Sequence, residues 1–150
     1  DALAAVERHE VTPALEDVVE ATIYLSGLGF ENGGLAAAHA VNDGFAQEPQ
    51  AHGMYHGEKV AFGTLVQLVL EKAPQEELEQ VLAFLRDTGL PLTLAQLGVK
   101  EIVPETLKKV AEAAVVPTQS TKNLRADITA QEVYDAILEA DRIGRDYLAH

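Results

Sequence analysis

The chain has no cysteine and no tryptophan, a single methionine, and only 5% aromatic residues. Without a thiol it can build no disulfide framework, no thiolate metal site and no cysteine nucleophile, and it suits a reducing compartment such as the cytoplasm. Basic residues are also scarce: 11 Lys and Arg stand against 24 Asp and Glu, for a formal charge of −13. Both halves of the chain share the deficit, so a phosphate backbone would be repelled and nucleic-acid binding is not expected. Long apolar runs are missing too. The longest, Val60 to Leu70, is interrupted by Gly63, Thr64 and Gln67, and it falls short of the roughly 20 apolar residues of a membrane-spanning helix. No basic-then-apolar leader stands near the first residue, Asp1,. A chain that opens on Asp rather than Met is expected to be a piece of something longer.

What is present is 150 residues, 47% of them hydrophobic, enough to enclose a core in one domain. Their periodicity is helical almost throughout, and no stretch alternates long enough to predict a strand. Thr12 and Pro13 read as an N-cap and first helical residue, with Leu15, Val18, Val19, Thr22 and Ile23 following until Gly27 and Gly29 stop the run. Asn32 is positioned to cap an alanine-rich helix from about Gly34 to Asn42, ended by Gly44. A third helix, from His56 or Gly57 to about Glu71, is apolar nearly all round and is expected to be the core helix. Further helices are predicted over Gln75–Thr88 and Pro104–Val115. After a polar, loop-like stretch from Pro117 to Ala126, Thr129 and Glu132 form a capping box for a last helix reaching Leu148. The predicted fold class is all-α, a helical bundle.

Three of the five histidines, His39, His52 and His56, fall within eighteen positions. His39 lies mid-helix among alanines, where each ring nitrogen needs a partner. That partner is either a metal ion or a backbone carbonyl. His56 opens the third helix and can point across to His39. His52 and His56 are spaced i, i+4, but Gly53 between them argues against a continuous helical clamp. Asp43, four residues after His39, reads as a metal ligand, a carboxylate orienting the imidazole, or an ordinary solvated residue. Lys59 is the only cation near the histidines, which counts against a phosphorylated substrate. His9 and His150, near the termini, are expected to be solvated. The glycines at 27, 29, 33 and 34 superficially suggest a dinucleotide loop, but the preceding element is a helix rather than a strand, so that reading fails.

The run from Ser26 to Val41, Ser-Gly-Leu-Gly-Phe-Glu-Asn-Gly-Gly-Leu-Ala-Ala-Ala-His-Ala-Val, is followed by His-Gly-Glu-Lys-Val-Ala-Phe-Gly from His56 to Gly63. Together they resemble the glycerol dehydrogenases, within the iron-containing alcohol dehydrogenase superfamily. The likeness is close from about Val11 to Val103 and weaker beyond. It implies that residues 1–150 are the C-terminal all-helical metal-binding domain of a two-domain, NAD-dependent oxidoreductase, with the N-terminal α/β NAD-binding domain absent. It further implies zinc, with iron as the alternative, held by His39 and His56 and by an aspartate from outside the helical domain that has no counterpart here. Glycerol or a similar small polyol would be oxidised to dihydroxyacetone through a zinc-bound alkoxide, with hydride passing to NAD. His52 is then a catalytic candidate, on the substrate side or in a proton relay, and the intact enzyme is expected to be a homo-oligomer.

The chain departs from that pattern in lacking the nucleotide-binding half, in lacking the third ligand, and in carrying Asp43 where relatives often have asparagine or histidine. The first two departures predict little or no dehydrogenase activity from these residues alone. The rival expectation is a non-catalytic helical module for oligomer assembly or regulation, with structural histidines.

Overall fold

The computed structural model describes residues 1–149. Every regular element among them is a helix, as the periodicity predicts, and none is long and apolar enough to cross a membrane. Where the sequence predicts one domain, contacts divide the chain into two compact units, Asp1–Gly34 and the part from Leu35 onward.

The first unit holds α1 (Ala2–Glu7), α2 (Pro13–Glu20), a π-helical segment (Ala21–Leu25) and α3 (Ser26–Gly33). Thr12 caps α2 as expected, its hydroxyl oxygen accepting from Leu15 N at 3.3 Å. Gly27 and Gly29 do not stop the run: helical backbone continues through both and ends at Gly34, whose φ is 70°. A glycine inside a helix costs about 1 kcal/mol, which weakens the helix without terminating it, whereas a left-handed residue does terminate it. Asn32, expected to cap the next helix, instead lies within α3 and donates to the Leu28 carbonyl at 2.7 Å.

The second unit contains α4 (Ala37–Gly44), α5 (His56–Glu71), α6 (Gln75–Asp87), α7 (Pro104–Ala114), α8 (Thr121–Leu124) and α9 (Ala130–Leu148). Four of these match their sequence signals closely because the signals are chemical. Glu58 accepts from Tyr55 N at 2.6 Å and fixes the start of α5. Pro74 and Pro104 mark the starts of α6 and α7. Thr129 and Glu132 cap each other's backbone N–H ahead of α9, at 3.2 and 2.9 Å. The single-turn α8 falls inside the stretch expected to be loop, held there by buried Thr121, which donates to the Ala114 carbonyl at 2.5 Å.

As expected of the core helix, α5 buries Phe62, Leu65, Val66 and Leu68, and packs on α4 and α9, while α7 packs on the same two helices. Phe62 meets Phe45 edge-on, ring centres 6.0 Å apart. The periodicity does not reveal the contribution of the irregular segment between α6 and α7, where Leu92, Leu94, Leu97 and Val99 are almost fully buried. A buried loop must find partners for its backbone. Here Leu92 N donates to Gln96 Oε1 and Leu94 N to Asp141 Oδ1, both at 2.8 Å. Asp141 is itself buried on α9, with Arg145 3.1 Å from its other oxygen. Replacing Asp141 by Ala leaves the Leu94 N–H without an acceptor, so we expect a loss of about 1–3 kcal/mol in unfolding free energy, with Asp141→Asn losing less. Urea denaturation of the three proteins checks this.

Candidate metal centre

His39 sits in the first turns of α4 and His56 is the first residue of α5. The two helices pack so that the imidazoles face each other with ring centres 5.5 Å apart and planes inclined at 47°. This is too tilted for stacking. An imidazole nitrogen lies about 2.1 Å from a zinc ion and the ring centre about 1.1 Å further, so two rings at a tetrahedral angle have centres about 5.2 Å apart. The observed ring-centre spacing is close to that separation.

His39 is half-buried and His56 exposed. Burial is the main cause that holds the His39 pKa below its ordinary value; the neighbouring charge of His56 adds to the effect and Asp43 opposes it. The neutral imidazole is therefore favoured, and that is the form with a lone pair to offer a metal.

The other candidates fall elsewhere. His52 is exposed in the α4–α5 connection, its Nε2 3.0 Å from the Ala46 carbonyl. Because a carbonyl only accepts, that nitrogen carries the proton and Nδ1 is left as the acceptor. Asp43 is exposed and accepts from Asn42 Nδ2 at 3.0 Å. His9 is exposed, as expected, while His150 lies outside the described residues. Among the described residues no set of three His, Asp or Glu side chains converges on a metal-sized point. A groove of about 750 Å³ runs between α6 and α9 past Leu78, Leu82, Ile143 and Tyr147, and no described histidine lines it.

Sequence reasoning missed the supports of this pair. Ala36, at the head of α4, has no capping side chain. Gln67 of α5 takes over, accepting from Ala38 N at 3.0 Å. Ser120 donates to the Ala36 carbonyl at 2.7 Å and Asn123 to that of Leu35 at 2.8 Å. On the connection between the helices, Gln50 accepts from Lys100 N and Glu101 N at 3.1 and 3.2 Å and donates to the Glu101 carbonyl at 2.8 Å. The one available signal was Gly63, a glycine inside the longest apolar run of the chain, which points to a packing reason,.

No family model matches the chain. It is 56% identical over 147 residues to a glycerol dehydrogenase of Escherichia coli O6:H1 and 49% identical over 147 residues to one of Pseudomonas putida, covering 98% of this chain in each case. A crystal structure of a probable glycerol dehydrogenase from Sinorhizobium meliloti 1021 superposes over 97% of this chain with a TM-score of 0.91 and 46% identity. The chain is a homologue of the glycerol dehydrogenases. It spans 40% of the length of those two curated relatives and 42% of the solved chain, and its all-helical fold is the one that region of the solved glycerol dehydrogenase adopts.

The direction of the His39 shift fixes a pH dependence. A histidine whose folded-state pKa lies below its unfolded value, about 6.5, binds fewer protons when folded, so stability rises with pH through that window and is complete above it. Acidification through the lowered His39 value is expected to cost stability, and His39→Gln to flatten that limb. Urea midpoints measured from about pH 5 to about pH 7.5 check this; an unchanged acid limb in the variant refutes it.

Proposed function

We propose that this chain is the C-terminal, all-helical, metal-binding part of an NAD-dependent glycerol dehydrogenase, with His39 and His56 as two of the metal's ligands. The observation that carries the reading is the facing of the two imidazoles, 5.5 Å between centres, at the residues that the resemblance marks. Zinc suits neutral imidazole donors, and when bound it supplies Lewis acidity toward an alcohol oxygen; iron is the alternative that the same donors accommodate. The chain's own part is to bring the two imidazoles together, with burial favouring the neutral form of His39.

Two neutral imidazoles leave the ion's charge uncompensated, so the reading places the third ligand, a carboxylate, in the part of the enzyme outside this chain, together with the α/β domain that binds NAD. His52 is the substrate-side residue of the proposal. With Nε2–H tied to the Ala46 carbonyl, its free Nδ1 can accept a proton. A small neutral polyol such as glycerol, oxidised to dihydroxyacetone, suits an acidic surface with one cation, Lys59, near the histidines. In the intact enzyme we place this part in a homo-oligomer and in the cytoplasm.

Two measurements test the reading. Calorimetric titration with zinc should give one site per chain. Loss of a residue that merely orients a ligand weakens metal binding about 10- to 100-fold, so removing both ligands in His39→Ala/His56→Ala should abolish the site; equal binding by the variant overturns the assignment. Glycerol-dependent NADH formation by this chain alone should be negligible, and robust turnover would refute the division of the site.

A further inference from the structure

The histidine pair is held by a contact two and three turns further along the same stripe of α5. Successive helical residues advance by about 100°, so Gly63 and Gln67, seven and eleven positions after His56, return to within about 20° of its face. Both meet Ala38, the residue before His39. A Cβ built at Gly63 would collide with the Ala38 carbonyl oxygen, and it would stand 3.1 Å from the carbonyl carbon and 3.2 Å from Ala38 Cα. These are backbone atoms, so relief would require moving α4 itself. One turn on, Gln67 Oε1 accepts from Ala38 N at 3.0 Å, and its Nε2 is anchored on Glu71 at 2.7 Å. Gly63 sets how close α4 comes, and Gln67 sets where along α5 it is pinned.

We propose that Gly63 and Gln67 are positioning residues of the metal centre, fixing the separation and register of α4 and α5 that bring His39 and His56 onto one ion. Neither touches the metal or a substrate. The inference rests on the metal-centre reading, but the geometric part can be tested without any metal.

The test compares Gly63→Ala and Gln67→Ala with the parent chain and with Asp141→Ala, which weakens the same unit at the buried loop, away from the histidines. The first readout is the nuclear Overhauser cross-peaks between the two imidazole rings in the metal-free protein; the second is zinc affinity by titration calorimetry. Gly63→Ala should lose the cross-peaks and bind zinc about tenfold more weakly, and Gln67→Ala should weaken both to a lesser degree, about threefold in affinity. Asp141→Ala, though less stable, should keep the cross-peaks and bind zinc within about twofold of the parent. The proposal is overturned if the folded Gly63→Ala and Gln67→Ala proteins keep parent cross-peaks and affinity, or if Asp141→Ala loses them equally. Should Gly63→Ala fail to fold, Gln67→Ala decides on the same criteria. A parent chain that shows the cross-peaks but binds no zinc sinks the metal reading, while the cross-peak series still tests the positioning.

Discussion

The backbone contact between α5 and the Ala38 carbonyl is the constraint on which the histidine pair depends. A helix of eight residues such as α4 is not stable alone, and α4 begins without a capping side chain of its own. Its first donors and acceptors are met from elsewhere, by Gln67 on α5, by Ser120 at the head of α8 and by Asn123 within it. The position of His39 is therefore a property of the elements around α4 more than of α4. Glycine at position 63 is unfavourable for α5 as a helix by about 1 kcal/mol relative to alanine. The return is an approach that no other residue permits, since any Cβ there would strike backbone.

The same logic explains which parts of the architecture could be read from residues alone. α5, α6, α7 and α9 were legible because their starts are set locally, by Glu58, by the prolines and by the Thr129–Glu132 pair. The start of α4 was not, because its caps come from residues 29 to 88 positions away. The polar run after Pro117 reads as loop, and it is one apart from α8, yet its side chains are tertiary caps. The buried segment with Leu92, Leu94, Leu97 and Val99 has no period to detect, and its solvent-free backbone is paid for by a carboxylate 47 residues away, on α9. Local chemistry is written in the sequence at the site of its effect; long-range satisfaction of polar groups is not.

The first unit shows the complementary limit. Val18, Val19 and Ile23 have the spacing of a helix that buries one face, yet all three are exposed. Periodicity states which face is apolar and says nothing about what covers it. The candidate metal centre divides in the same way. Spacing alone left His39 open between ligand and core histidine, and the likeness of two short motifs favoured the first. The approach of the rings could come only from the packing of α4 on α5.

Electrostatics explains why such a pair can persist in so acidic a chain. A histidine in a field of net charge −13 would ordinarily be drawn toward protonation, since surrounding carboxylates favour the cation. At His39 partial burial and the facing imidazole outweigh Asp43, so its pKa lies below the ordinary histidine value. On the proposed metal-centre reading, the acidic surroundings act on the ion instead of the ligand. They favour the approach of a divalent cation and disfavour phosphate competitors, while the half-buried neutral donor keeps its lone pair free. On the proposed reading, desolvation of one imidazole and the negative field of the whole chain are two halves of one device: the first prepares the donor, and the second draws in the acceptor.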